Sequence, residues 1–434
     1  MTYAHTCVKI YLNLSLVAVI LRLCFYFSGV INMIAKIREY SIPLIAGVLL
    51  AVLWANLDYS SYHHFIHYKF IPGLDFLDFH FLVNDVFMYL FFATAGIEIV
   101  HSISPGGSLN PIKKAVTPLI ATLGGVLGPI GIFFLLNSLI GSPEYMSGWG
   151  IGTATDIALA WLLARLVFGA HHPAVNFLLL LAVADDAIGL LIIAIFYPDP
   201  NHLPQYLWLL LVVVGMGVAF IMKKFGIKQW WLYLFVAGGI AWFGMYKCGM
   251  HPSLASVLVV FFIPNTKEME SKLGTISGEQ GNDESIRSNS ENRTCLENCE
   301  HRISPFVDYG LILFGISNAG VQLSEISNLT LIIFLSLIIG KTMGITLFTK
   351  FSVSVLKFEL PKGMQGKDVF IAGFIAGMGL TVALFIAGSA FVDESLQAAA
   401  KMGALFSAFV FLIAPIWGKL IEIEKVVHPL KKKF

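Results

Sequence analysis

Two adjacent acids, Asp185 and Asp186, stand in the run Leu181-Ala-Val-Ala-Asp185-Asp186-Ala-Ile-Gly-Leu-Leu, with long apolar stretches on either side. Neighbouring side chains on a helix point about 100° apart, so the two carboxylates serve adjoining surfaces; one can face water while the other reaches a partner helix. Desolvated carboxylates this close resist being charged together, which keeps one of them able to take a proton, and the same oxygens suit a small hard cation. A proton and a cation competing for one site, open in turn to the two sides of a membrane, would be exchanged with no covalent chemistry.

Four more ionisable residues interrupt apolar segments: Asp85 and Glu98 in one, Asp156 in another, Lys341 in a third. At the centre of a bilayer such a group costs at least about 2.5–3.5 kcal/mol, so it marks an ion path more often than a packing contact. Lys341 is a single base among several buried acids, too little to make the acid pair a merely structural ion pair. Asp156 follows Gly152-Thr-Ala-Thr155, and a later segment carries Gly373, Gly377, Gly379 and Thr381, so both segments can break. Broken helices expose ends bearing about half a charge, positive at N-termini and negative at C-termini. Asp156 suits the positive ends and Lys341 the negative ones, a division compatible with a salt bridge from Lys341 to Asp185.

The elements that must position these residues are membrane helices. Of the 434 residues 57% are hydrophobic and only 13% charged, against about 25% in a soluble domain, and the mean hydropathy is +0.79. Apolar runs near the length that crosses a bilayer recur at Ile42–Leu57, Phe81–Val100, Ala115–Asn137, Met146–Leu166, Ala174–Tyr197, Gln205–Met222, Trp230–Tyr246, Pro252–Ile263, Phe306–Leu323, Leu329–Thr349, Val369–Phe391 and Ala398–Ile421. The expectation is an all-α membrane protein of about twelve transmembrane helices. No run alternates as the strands of an outer-membrane barrel do.

Charge placement supports this. With the segment before Ile42 inside, inside loops and the adjoining span ends hold 22 of the 28 Lys and Arg residues, which places both ends of the twelve-helix body in the cytoplasm. Residues 33–264 then carry helices one to eight, 305–421 carry nine to twelve, and 422–434 form a basic cytoplasmic tail. Residues 1–32 are an apolar extension with three readings: a further helix, an uncleaved signal-like segment, or sequence upstream of a start at Met33. Residues 265–304 turn rich in Ser, Glu, Asn and Gly and read as a disordered cytoplasmic loop. Cys295, Cys299 and His301 lack a full tetrahedral ligand set, and the five cysteines show no disulfide pattern. A net charge of +1 gives no sign of nucleic acid; the partner implied is the lipid bilayer.

Along the chain stand, in order, Asn84-Asp85 with Phe-Phe-Ala-Thr-Ala-Gly-Ile-Glu98, Gly150-Ile-Gly-Thr-Ala-Thr155-Asp156, Asp185-Asp186, Gly249-Met-His251-Pro, Ser317-Asn-Ala-Gly-Val, Ile339-Gly-Lys341 and Gly379-Leu-Thr381. Together these resemble the motifs of the NhaA family of bacterial sodium/proton antiporters. The resemblance implies inverted-topology repeats, with the fourth and eleventh helices discontinuous and crossing near the bilayer midplane. It implies Asp186 as the main ligand of sodium, lithium or proton and Asp185 as the second carboxylate. Asp156 and Lys341 would compensate helix ends, with Thr155 and Thr381 supporting the site. Glu98, His251, Glu300 and Asp85 match positions associated with the pH response. Electrogenic export of cytoplasmic sodium across the inner membrane would follow, without a cofactor, and a homodimer could form through the outside loop near residues 58–80. The chain departs from the family in reading Ile99-Val100-His101-Ser102 after Glu98, where a basic and acidic cluster is usual.

Two other classes are weighed. An intramembrane aspartyl protease needs its acids on separate helices in Tyr-Asp and Gly-x-Gly-Asp settings, and neither motif occurs. A proton-coupled transporter of an organic solute would need a polar pocket, and buried Asn, Gln and Arg are scarce.

Overall fold

The computed structural model describes residues 41–70, 77–110, 112–198, 205–265 and 293–423. The apolar extension 1–32, most of the polar stretch 265–304 and the basic tail beyond residue 423 lie outside the described residues. What is described is helical, apart from one isolated bridge between Lys69 and Asp78. The helices are α1 (Ile42–Leu57), α2 (Tyr59–Ile66), α3 (Phe79–Ile103), α4 (Ile112–Ile140), α5 (Ile157–Phe168), α6 (Pro173–Phe196), α7 (Tyr206–Lys224), α8 (230–248), α9 (252–260), α10 (Cys295–Asn318), α11 (Asn328–Ser354), α12 (Gly366–Ala376), α13 (Thr381–Ala390) and α14 (Glu394–Leu420).

Six of these are long and apolar enough to cross a bilayer, and eight spans result if the two bent pairs described below each count as one. That is fewer than the twelve expected from apolar runs. The difference lies in α1, α8, α9 and α10, which are short, interrupted or polar at one end. Their outward faces are nonetheless apolar: Leu49, Leu53, Phe235 and Phe306 are all exposed, as lipid-facing residues would be.

Helix α10 differs most from its expected bounds. It starts at Cys295, inside the stretch read as disordered loop through residue 304, and ends at Asn318 rather than Leu323. Thr294 explains the early start. Its hydroxyl accepts from Glu297 N at 3.2 Å while Glu297 Oε2 accepts from Thr294 N at 2.7 Å, a reciprocal cap that holds a first turn of polar composition. Cys295 and Cys299, on the first two turns, are buried, and Cys295 Sγ donates to Lys228 O at 3.0 Å.

Helices α4 and α11 approach most closely, through glycines. A Cβ on Gly124 or Gly128 would meet the carbonyls of Gly344 and Gly340, and one on Gly344 would meet the carbonyl of Gly124. Small residues let two backbones touch where no hydrophobic driving force separates helix from lipid. Gly340 also closes a widened turn, Ser336–Gly340, which sets the rotation of the next residue, Lys341. Gly344→Val is therefore expected to cost at least about 1–3 kcal/mol by overpacking and to lower the unfolding temperature of the detergent-solubilised protein. An unchanged melting curve would show that this approach is dispensable.

Candidate ion site

Between Ile140 and Pro173 the chain does not keep one helix. A 3-10 segment, Pro143–Thr153, gives way at Ala154 to extended backbone (φ −79°, ψ 146°), and α5 resumes at Ile157 with its axis bent by 58°. The second break separates α12 from α13, bent by 50° across residues 377–380. The two breaks are each other's hydrogen-bond partners. Asp156 N donates to Met378 O at 2.9 Å, and Thr155 Oγ1 lies 3.0 Å from Ala376 O. Gly379 is required by this crossing, since a Cβ there would lie 2.7 Å from Ala154 O.

Unwound backbone leaves helix ends to be satisfied. Asp156 serves two of them at once. Its Oδ1 accepts from Leu159 N at 3.1 Å, capping α5, and its Oδ2 accepts from Thr381 Oγ1 at 3.1 Å and Thr381 N at 3.4 Å, capping α13. A carboxylate placed between two N-termini meets the positive ends of both helix dipoles. Lys341, from α11, meets an end of opposite sign. Its Nζ donates to Thr153 O at 2.7 Å, a carbonyl at the C-terminal end of the 3-10 segment.

Lys341 also ion-pairs with Asp185 Oδ2, both side chains being fully buried. Thr155 completes the contact. Its Oγ1 accepts from Lys341 Nζ at 2.5 Å and donates to Asp185 Oδ2 at 2.7 Å. One oxygen of Asp185 is thus held by a base and a hydroxyl. The other, Oδ1, is buried without a hydrogen bond, and so is Oδ1 of Asp186 next to it. A buried carboxylate oxygen with no partner costs free energy unless something positive arrives there. Asp186 is 9% exposed and sits in the field of three negative neighbours, Asp185, Glu98 and Asp156, against one positive, Lys341. Two adjacent carboxylates, each presenting an unpartnered oxygen in a net negative field, have the chemistry to accept a proton or a hard monovalent cation.

Comparison with known proteins decides the family. The family model described as Na+/H+ antiporter 1 matches residues 31–420. The chain belongs to this antiporter family. Similar curated proteins include Na(+)/H(+) antiporter NhaA of Desulfitobacterium hafniense (strain DSM 10664 / DCB-2), 52% identical over 390 residues that cover 90% of this chain and 96% of that one. The protein of the same name from Geobacter sulfurreducens is 49% identical over 391 residues, 90% of this chain and 98% of its own. Na(+)/H(+) antiporter NhaA of Jannaschia sp. (strain CCS1) is 39% identical over 426 residues, 90% of this chain and 98% of its own. Membership of an antiporter family makes the chain a transporter rather than an enzyme.

Within this family member the four remaining candidate residues do not gather into one cluster. Glu98 is exposed on α3, and Glu300 and His101 are among its charged neighbours. His101 Nε2 lies 3.1 Å from Glu300 Oε2, joining α3 to the start of α10. Asp85 and His251 sit elsewhere, in the lining of a cavity of about 570 Å³ shared with His80, Asn318, Phe385 and Lys401. The His251 ring packs edge-on to Phe385 at 5.1 Å, and the Asp85 carbonyl accepts from Trp242 Nε1 at 3.0 Å. Sequence reasoning treats His101 as a departure and misses that it meets Glu300. It also misses the Thr153 carbonyl, which as backbone leaves no mark in residue types.

Proposed function

We propose that this chain is an electrogenic sodium (lithium)/proton antiporter of the bacterial inner membrane, exporting cytoplasmic sodium by alternating access at Asp185 and Asp186. The observation that carries the reading is the pair of unpartnered carboxylate oxygens on these adjacent residues, beside the contact between two helix breaks. Asp186 takes either a proton or a cation, and Asp185 Oδ1 is the second oxygen ligand. Asp185 Oδ2 stays tied to Lys341 and Thr155, which anchors the site to α11 and to the first break.

The two bent pairs serve as the fourth and eleventh transmembrane helices, discontinuous and crossing near the bilayer midplane within inverted-topology repeats. Extended backbone at a break reorients at low cost compared with a continuous helix, so small shifts of the half-helices can change which side the acids face. Asp156 and Lys341 keep the half-helix ends neutralised meanwhile. With more protons carried inward than sodium ions outward, the proton gradient drives export and contributes to pH and sodium homeostasis. The alternative, proton-coupled transport of an organic solute, would place the solute away from the acids, in the 570 Å³ cavity, whose lining includes neither Asp185 nor Asp186.

Everted membrane vesicles holding a respiration-driven proton gradient, followed with a quenched acridine dye, test the proposal. Addition of sodium or lithium is expected to restore fluorescence at alkaline pH in vesicles with the protein and not in vesicles without it. No response to either ion at any pH, with folded protein in the membrane, would turn attention to the organic-solute alternative.

A further inference from the structure

The break between α12 and α13 is held from a helix that contributes nothing else to the site. Ser407 lies on α14 at a point where that helix tightens into a 3-10 turn, Ser407–Phe409, and its side chain is fully buried. The hydroxyl reaches both polar groups of one residue in the break. It accepts from Gly379 N at 3.2 Å, and its proton is shared between Gly379 O at 3.0 Å and Ala404 O at 2.6 Å. Gly379 lies between Met378, whose carbonyl accepts from Asp156 N, and the short step to Thr381, whose hydroxyl and amide cap onto Asp156.

We infer that Ser407 is a positioning residue for ion exchange, fixing the unwound segment 377–380 in the geometry that places Asp156 and, across the crossing, Thr155 beside Asp185. The inference rests on the two-aspartate reading above. A buried peptide group is satisfied by helix, by side chain or by water. At Gly379 regular helix is given up, and the serine hydroxyl, both donor and acceptor, takes its place. Without it, Gly379 would satisfy its N–H and C=O only by moving, and Met378 O and Thr381 would move with it. The α12–α13 break would then keep its contacts with Ala154, Thr155 and Asp156 and its packing on Leu337 of α11, without a polar anchor on α14. That makes α14 a fixed post against which the second break is set, rather than only a wall of the bundle.

The test compares sodium-dependent dequenching in four proteins: wild type, Ser407→Ala, Ser407→Thr and Thr330→Val. The last removes a buried hydroxyl that also bonds the backbone of α14, at Ala399 O 2.9 Å away, and that accepts from Ser327 N at 3.2 Å, neither partner lying in a break. Ser407→Ala is expected to raise the apparent KM for sodium about fivefold or more while the maximal rate changes less than about twofold. Ser407→Thr, which keeps the hydroxyl, is expected to return the KM toward the wild-type value, and Thr330→Val to leave it unchanged. Melting of each purified variant separates loss of fold from loss of affinity. A Ser407→Ala KM no higher than that of Thr330→Val would overturn the inference while leaving the antiport reading intact. Wild-type protein without sodium-dependent exchange would instead remove that reading.

Discussion

Replacing Asp186 by Asn is expected to abolish sodium- and lithium-driven proton release in everted vesicles while leaving the protein as stable as wild type or more so. Asn keeps the shape of Asp but can neither take up and release a proton nor bring a full negative charge to a cation. The site is buried, Asp185 fully and Asp186 nearly so. Losing one charged ligand there forfeits several kcal/mol, a loss of about a hundredfold or more in ion affinity. Stability should move the other way. Asp186 lies among Asp185, Glu98 and Asp156, so removing its charge relieves repulsion that a single lysine only partly offsets. Asp186→Glu keeps charge and proton on a longer arm and is expected to retain weak exchange with a raised KM. The decisive pair of measurements is dequenching amplitude and unfolding temperature on the same preparations. Full-amplitude sodium response in Asp186→Asn would place the ion site away from α6.

How far this site is legible in advance depends on whether side chains or backbone carry it. A lone intramembrane base among acids has few places to go, and the contact of Lys341 with Asp185 follows from that scarcity. Gly152-Thr-Ala-Thr155-Asp156 offers an N-cap residue beside poor helix formers, so a helix start at Ile157 capped by Asp156 is visible as well. The carbonyl of Thr153 and the peptide of Gly379 have no such signature, and neither does the widened turn that precedes Lys341. Ser407 cannot be singled out, since a serine in an apolar helix ordinarily bonds its own preceding turn; only the fold brings Gly379, 28 residues earlier in the chain, against it. The start of α10 is legible but easily overlooked. Thr294-Cys-Leu-Glu297 spells a capping box, while the polar composition around it argues for loop, and local chemistry prevails over composition.

The arrangement divides labour between charge and backbone. Both breaks are expensive, because each exposes peptide groups that a continuous helix would satisfy. Asp156 and Lys341 meet the ends electrostatically, and Thr155, Thr381 and Ser407 meet them by hydrogen bonds, so nearly every polar side chain at the crossing has a structural duty. Asp186 stands apart from these. No hydrogen bond reaches its buried Oδ1, and it caps no helix end. In the proposed cycle, a residue held in such a position is the one whose occupancy would change at little cost to the scaffold.

Lys341 provides the sharpest contrast with Asp186. Lys341→Met replaces the base by an apolar chain of similar length, leaving Asp185 Oδ2 with Thr155 alone and the Thr153 carbonyl without its ammonium donor. Removing one partner of a fully buried pair costs about 3–5 kcal/mol, since the remaining charge stays desolvated and uncompensated. A drop of several degrees or more in unfolding temperature is therefore expected, where Asp186→Asn shows none. The double variant Lys341→Met with Asp185→Asn should recover part of that loss, because the uncompensated charge is then gone, with a coupling of about 1–3 kcal/mol between the two positions. It should not recover transport, since Asp185 would no longer be a charged ligand. Additive effects on stability would mean that the pair does not bear on the fold as its geometry indicates. A double variant that both folds and exchanges sodium at the wild-type rate would remove Asp185 from the ion site and leave Asp186 to act alone.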